Sequence, residues 1–457
     1  MLCVSIRPQN EEELLKDFAK ADALADFVEV RVDGFDKLPV DLLKKLFKRP
    51  TIASIGTLQE ANLLERLASL HPTWLDVPST IPLVATLKSR HPELKIITSY
   101  HDFDKTPDNL EEIFKQLQTL GGDKIKLVVQ ANCGLDGLKL LHFLKRQKKP
   151  LTSFCMGENG SFTRVLAPLY GSEITYSCLP EKETAPGQLS CHELLFIYHF
   201  RKLSEKTKPF ALIGKPIAQS PSFITHNALF EKIGFDAVYV KIPLGSEEIK
   251  QSLPLIESLG FQGLSVTHPL KAAITDSIYN TVGWKDGQAH YLNTDGKGLL
   301  DAIEMHGSVK DKKVVLLGAG ATGQAIAQEA KKRGAHLTIT NRTEAKAYLF
   351  SKLLNCHYFP WNLSHLLAMP YDILINATTV GMHQESLPLS KQHIRKEAIV
   401  ADVILNADTP FLQMAREQGA KVVTGYEMWF RQAAYQFCFW KEDLKYEEVL
   451  EWLKASL

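Results

Sequence analysis

The chain has 457 residues, 45% of them hydrophobic and 23% charged, which calls for two or three domains of ordinary globular composition. Lys plus Arg number 53 against 52 Asp plus Glu, so no global charge draws the chain to nucleic acid or an anionic membrane, and no apolar run is long enough to span a bilayer. The seven cysteines lack metal-ligand spacing and the start, MLCVSIRPQNEEELL, lacks leader character, which predicts reduced thiols, no metal, and a cytoplasmic protein, bacterial or already processed.

In chain order, eight β-rich runs come first: LCVSI (2–6), FVEVRV (27–32), TIASI (51–55), WLDV (74–77), KIITSY (95–100), KIKLVV (124–129), LTSFCM (151–156) and ITYSCL (174–179). Stretches of helical period separate them, among them EEELLKDFAKADALA, ANLLERLASL and LDGLKLLHFLKR, with the fourth and seventh connections the least clearly helical. The pattern predicts a (β/α)8 barrel over residues 1–205, whose chemistry belongs at the C-terminal ends of the strands. Reactive side chains fall there. Glu29 and Arg31 are two apart on the second strand, His101 follows the fifth, Lys126 lies inside the sixth, and Arg164 follows the seventh. A lysine on an apolar strand either snorkels to water or sits in a pocket, where desolvation lowers its pKa and frees a nucleophilic amine. Glu29 with Arg31 reads equally as an ion pair, and His101 as a structural histidine.

The ordered pieces VEVRVDGF, SYHDF, DKIKLVV, MGENGSFTRVLAPLYGS, TYSC and TAPGQLS resemble type I 3-dehydroquinate dehydratase. The resemblance implies that Lys126 forms a Schiff base with the ring ketone. It implies that His101 moves the proton of the adjacent carbon and that Glu60 orients His101. Glu29 and Arg31 would hold substrate hydroxyls, Arg164 would clamp the carboxylate, and Thr184 and Gln188 would belong to a lid. Gly56 stands where the family usually carries arginine, and Thr184 where it carries serine.

A basic stretch, RKLSEKTKPF (201–210), reads as a linker. Beyond it, ALIGKPIAQSPSFITHNALF opens a new domain with Ser220 and Ser222 two apart in a Pro-bounded loop. Residues 313–323, KVVLLGAGATG, form an apolar strand running into a turn with Gly318, Gly320 and Gly323, followed by a helical stretch. This is a dinucleotide-binding arrangement, with Ala319 and Ala321 in the turn. About twenty residues on, where an NAD site would place an acid, the second strand ends in Asn341-Arg342-Thr343, which predicts NADP.

The series GLSVTHPLK (263–271), YNTV (279–282), YLNTDGKG (291–298), INATTVGM (375–382) and GYEMWFRQAAYQF (425–437) resembles shikimate dehydrogenase. That implies Lys271 and Asp295 as the catalytic pair, Ser220 and Ser222 on the substrate carboxylate, and Thr267, Asn280 and Gln432 on ring hydroxyls. Asn341, Arg342, Thr343, Gly425 and the glycine turn would hold the nucleotide, with Thr378 and Met382 towards its nicotinamide end. Lys271 with Asp295 also reads as a salt bridge, and the serines as helix caps. Ser265, Gln219 and Leu405 depart from the family's usual asparagine, histidine and tyrosine.

The expected architecture is therefore α/β throughout. A barrel (1–205) is followed by an α/β substrate domain (208–305, completed by helices at 429–457) and a Rossmann-like NADP-binding domain (306–428). The two resemblances together imply consecutive steps towards chorismate and aromatic amino acids, on the small molecules 3-dehydroquinate and 3-dehydroshikimate. Rival readings are an aldolase-like barrel joined to an NAD-dependent quinate dehydrogenase, and a non-catalytic metabolite sensor.

Overall fold

In the computed structural model, which describes residues 1–275, 277–382 and 386–456, the chain packs into two units, Met1–Gln262 and Gly263–Leu457. In the first, all eight anticipated strands form, and the two weakest connections are short helices. The order is β1 (Leu2–Ile6), α1 (Glu11–Asp22), β2 (Phe27–Arg31), α2 (Val40–Leu46), β3 (Thr51–Ser54), α3 (Ala61–Ala68), β4 (Trp74–Pro78), α4 (Val84–Arg90), β5 (Lys95–Asp102), α5 (Leu110–Thr119), β6 (Lys124–Gln130), α6 (Gly134–Lys145), β7 (Thr152–Met156), α7 (Phe162–Leu166) and β8 (Thr175–Cys178). The strands run parallel in the order β7-β6-β5-β4-β3-β2-β1-β8. A single bridge, Leu151 to Ser172, and the Ser153 N–H donating to Ser172 Oγ (3.1 Å) stitch the seam between β7 and β8.

Local chemistry sets these elements. Asn10 caps α1 by accepting from the Glu13 N–H, three glutamates occupy its first turn, and Leu14, Phe18 and Ala21 face the strands. The two-residue period of the strands splits the barrel. One set (Val4, Val28, Ala53, Leu75, Ile96) packs under the helices, and the other points inward. The inward set is apolar at one end, with Cys3, Ile52, Trp74, Ile97, Val128, Phe154 and Tyr176. Two residues further along β1 to β5 the same face carries Ser5, Glu29, Ser54, Asp76 and Ser99.

Residues 201–210 are pinned instead of forming a free linker. Arg201 donates to Asp26 Oδ1 (2.9 Å) and the Leu24 carbonyl (2.7 Å), and Thr207 Oγ1 donates to Asp236 (2.7 Å). The unit continues with β9 (Lys208–Gly214), α8 (Ser222–Lys232), β10 (Ala237–Pro243) and α9 (Ile249–Leu259), with β9 and β10 parallel. This layer packs directly on the barrel. A side chain at Gly134, where α6 begins, would collide with the Pro243 carbonyl, and Tyr170 Oη donates to the Leu259 carbonyl (2.9 Å).

The second unit opens with an antiparallel meander of β11 (Gly263–Val266), β12 (Thr281–Lys285) and β13 (Gln288–Leu292), then α10 (Asp295–Glu304). A doubly wound unit follows: β14 (Lys313–Leu317), α11 (Ala321–Lys332), β15 (His336–Thr340), α12 (Glu344–Leu353), β16 (His357–Tyr358), α13 (His365–Ala368), β17 (Ile373–Asn376), β18 (Ile399–Asp402), α14 (Pro410–Glu417) and β19 (Lys421–Val423). Its parallel sheet has the order β16-β15-β14-β17-β18-β19, which opens a ligand crevice at the switch between β14 and β17. Two helices, α15 (Gly425–Trp440) and α16 (Tyr446–Lys454), close the chain. The helix expected from about Trp429 starts at Gly425 because Thr424 and Glu427 form a capping box. Arg333 ties α10 to α11 through Asp301, Glu304 and Glu329 at 2.7–2.9 Å. Among the described residues no helix is long and apolar enough to cross a membrane.

Candidate active sites

The inward polar layer of the barrel lines a cavity of about 650 Å³, counted to its open mouth, a size that suits a single small ring. Lys126 lines it and is 5% exposed. Its Nζ donates to Asp76 Oδ2 (2.9 Å) and Glu29 Oε1 (3.3 Å) and sits 4.1 Å from the centre of the Tyr176 ring. The expectation of a depressed lysine pKa is therefore corrected. Desolvation does favour the neutral amine, but Asp76 and then Glu29 outweigh it and hold the ammonium charged.

His101 lies within β5, not beyond it, because the ladder to β6 continues through the pairs His101–Val128 and Asp102–Val129. Its ring lines the cavity, stacked on Phe103 at 5.8 Å. Burial, and next the Lys126 ammonium, lower its pKa to about 3, so the imidazole is neutral over the physiological range. Glu60 is exposed at the N-cap of α3 and is not brought to the cavity.

Arg164 is 1% exposed on α7. One guanidinium nitrogen donates to the Tyr176 carbonyl (3.0 Å), the group lies 4.4 Å over the Phe154 ring, and among the described residues its Nε has no hydrogen-bond partner. Among the described residues no carboxylate pairs with it, and burial pushes its pKa down to about 10. A buried cation left in this state is a seat for an anion.

Arg31 is occupied differently. It makes a fork onto Asp33 (3.1 and 2.8 Å) and donates to the Thr184 carbonyl (2.7 Å). A Cβ at Gly56 would collide with the Asp33 carboxylate, which is shared with Arg7 (3.0 Å), so the position where the family usually carries arginine has no room here for a side chain. The segment expected to act as a lid is docked. Thr184 Oγ1 bonds Ser5 Oγ (3.0 Å) and Gln188 Oε1 (2.9 Å), Gln188 Nε2 donates to the Ser177 carbonyl (2.8 Å), and Ser5 Oγ donates to Glu29 (2.5 Å). Asp76 and Ser5 were missed in the sequence. Their signal was a polar residue one strand period beyond Trp74 and Cys3, on the same inward face.

In the second unit, α10 begins at Asp295 and its carboxylate accepts from Lys271, which follows β11. Lys271 Nζ also donates to Thr322 Oγ1 (3.0 Å), a residue absent from the sequence reading. Asn280 Nδ2 reaches Asp295 Oδ1 (2.8 Å), Thr294 Oγ1 (2.8 Å) and Gln432 Oε1 (3.2 Å), so Lys271, Asp295, Asn280 and Gln432 form one cluster. Gln432 arrives because Gly298 lets α15 lie against α10, where a Cβ would meet the Gln432 backbone nitrogen at 2.8 Å. Thr267 accepts the Leu270 N–H through its carbonyl (2.8 Å), closing the turn that presents Lys271. Ser265, at the first family departure, donates to Gln436 (2.9 Å). In the first unit, Ser220 and Ser222 share a hydrogen bond of 2.8 Å at the start of α8.

The glycine turn fits a dinucleotide. Gly318 holds φ +112°, a side chain at Gly323 would strike the Gly318 carbonyl, and a Cβ at Gly320 would meet open space, leaving backbone for a pyrophosphate. Asn341 Oδ1 accepts from the Ala319 N–H (3.0 Å) and so braces the turn from β15, while Arg342 and Thr343 are exposed beside it and Ala321 opens α11. Thr378 packs on Gly318 and donates to Asn376 (2.7 Å), Met382 is 51% exposed, and Gly425 packs under the Ile404 carbonyl.

Residues 2–205 match the type I 3-dehydroquinase family, 212–282 the shikimate dehydrogenase substrate binding domain, and 301–402 the shikimate/quinate 5-dehydrogenase family. The shikimate biosynthesis protein AroDE of Chlamydia pneumoniae is 31% identical over 97% of this chain and 96% of its own. The chloroplastic bifunctional 3-dehydroquinate dehydratase/shikimate dehydrogenase of Arabidopsis thaliana is 28% identical over 96% of this chain and 81% of its own. A shikimate dehydrogenase structure from Aquifex aeolicus matches with TM-score 0.52 and 27% identity, covering 55% of this chain and 99% of that one. Another, solved in complex with NADP+, gives 0.51 and 32% over 55% and 96%. With both catalytic folds in sequence and a relative matched nearly end to end, this chain belongs to the bifunctional 3-dehydroquinate dehydratase/shikimate dehydrogenase family of the shikimate pathway.

Proposed function

We propose that residues 1–205 dehydrate 3-dehydroquinate through an imine on Lys126, and that residues 208–457 reduce the product with NADPH. The observation that carries the first half is Lys126 held between Asp76 and Glu29 in a cavity that also contains Arg164, which has no carboxylate partner among the described residues. The substrate carboxylate takes Arg164, which fixes the ring. Lys126 passes a proton to an adjacent carboxylate, and its lone pair adds to the ring carbonyl; loss of water leaves a protonated imine. Neutral His101 removes the proton from the neighbouring carbon, and those electrons flow into the imine. Their return expels the β-hydroxyl, which leaves as water with the proton from His101. Hydrolysis of the imine restores Lys126. Gln188 and Thr184, docked on Ser5 and Ser177, keep bulk water out during these steps.

For the second half, a bound reduced nicotinamide supplies hydride to the ring ketone. Lys271 donates a proton to the ketone oxygen, and Asp295 and Asn280 hold it and the ring hydroxyls in register. Ser220 and Ser222 bind the substrate carboxylate. Arg342 and Thr343 bind the 2′-phosphate, Gly318, Ala319, Gly320, Ala321 and Gly323 take the pyrophosphate, and Thr378, Met382 and Gly425 lie towards the nicotinamide. NADP(+)-dependent relatives such as that of Desulfitobacterium hafniense, 34% identical over 52% of this chain, support the choice of cofactor. The test is a coupled assay from 3-dehydroquinate with NADPH on the intact chain, Lys126→Ala and Lys271→Ala. Each variant should lose one step and keep the other; loss of neither overturns the reading.

A further inference from the structure

We infer that Thr322 is a positioning residue that aims the ammonium of Lys271, and so links the nucleotide turn to proton delivery. The inference rests on Lys271 as the proton donor. Thr322 lies in the glycine turn, as the second residue of α11, and its Oγ1 accepts from Lys271 Nζ at 3.0 Å. The contact follows from how two helices cross. Gly296, the second residue of α10, lies so close to the Ala325 carbonyl of α11 that any Cβ there would collide. That crossing places the first turns of α10 and α11 side by side, with Asp295 on one and Thr322 on the other, and Lys271 Nζ bonds to both.

The donor count gives this geometry a function. An ammonium has three N–H bonds in fixed tetrahedral directions. One goes to Asp295 and one to Thr322, and with two anchored the third has a single direction left. With Asp295 alone, the ammonium turns about one anchor and its remaining donors sweep a cone. Thr322 also belongs to the segment that cradles the pyrophosphate, so any shift of that turn on nucleotide binding is carried to Nζ through one hydrogen bond. A residue that only bound nucleotide would not touch the lysine, and one that only packed the helices would have no need of a hydroxyl.

The test uses the full chain and three variants: Thr322→Val, which keeps the branched shape and removes the acceptor, Thr322→Ser, which keeps the acceptor, and Thr322→Ala. Valine and alanine should lower kcat for shikimate formation about tenfold, with KM for NADPH within about twofold of the parent and serine restoring kcat to within about twofold. Unchanged kcat in both valine and alanine overturns the inference. So does a raised KM at unchanged kcat, which would make Thr322 a nucleotide contact, and so does failure of serine to rescue. If valine fails to fold, by melting and NADPH binding, the alanine–serine pair decides. Lys271→Met separates this from the underlying reading. If it still reduces substrate, Lys271 is not the donor; if it is inactive while Thr322→Val is unaffected, only the role of Thr322 is lost.

Discussion

The two units each build a site around a buried or half-buried lysine held by carboxylate, and the proposed reactions ask opposite things of the two lysines. Lys126 is enclosed on the inward face of a barrel strand, between two carboxylates and against an aromatic ring. Lys271 sits at the end of a turn with one carboxylate and one hydroxyl. A nucleophile must surrender its proton, so it needs an acceptor beside it; two carboxylates supply that and hold the resting charge in the meantime. A proton donor must keep its charge until the transition state and needs aim, which one carboxylate and one neutral acceptor provide without crowding the oxygen it serves. Burial alone tells neither role. The partners do.

The sharpest way to break the comparison is to remove each amine. Lys126→Met should lower dehydratase turnover by at least about 10³-fold and leave reduction of 3-dehydroshikimate intact, with Lys271→Met doing the reverse, as two separate steady-state assays would show. The lysines should differ in stability as well. Lys126→Met strands Asp76 and Glu29 together in the barrel and should cost about 3–5 kcal/mol in urea unfolding, while Lys271→Met, beside one partly relieved carboxylate, should cost less.

Next in size is Arg164→Met. It should raise KM for 3-dehydroquinate about a hundredfold without lowering the melting temperature, because among the described residues the guanidinium has no carboxylate partner to lose. A large loss of stability with little change in KM would make Arg164 a structural cation. Arg342→Ala should raise KM for NADPH about tenfold and barely change that for NADH; equal effects on both would remove the 2′-phosphate assignment.

The smallest effect concerns pH. His101 and His226 both have pKa values lowered to about 3 from 6.5, His101 by burial and then Lys126, His226 by burial. The unfolded chain therefore takes up protons first as the medium is acidified. Their contribution to stability is whole above about pH 6.5 and is lost progressively down to about pH 3. Urea midpoints measured across that range should fall with pH, and His226→Gln should flatten the slope; an unchanged slope would mean that other groups control it.

Much of the barrel was legible because its strands are short, β-branched and bounded by helices with clear period. The short α4 and α7 were faint because one or two turns cannot display a period. Lys126 stood out as a lysine inside an apolar strand, and His101 and Arg164 as reactive side chains expected just after strands; the structure brings all three to one cavity. The charge state of Lys126 was not legible, since it depends on Asp76 and Glu29, 50 and 97 residues away in sequence. Asp76 was hidden inside an apolar word, WLDV, although its register with Trp74 marks the inward face. Glu60 was assigned by the resemblance alone; here it stands exposed at the N-cap of α3, outside the cavity lining. Thr322 was passed over because the glycines around it accounted for the turn, and its partner lies 51 residues earlier.

The central claim, that one lysine bonds to carbon while the other handles only a proton, is tested most directly by borohydride reduction during turnover of 3-dehydroquinate on the intact chain, followed by peptide mass mapping. A substrate-derived mass is expected on the peptide carrying Lys126, with Lys271 unmodified. An unmodified Lys126 under turnover, or an adduct on Lys271, would contradict it.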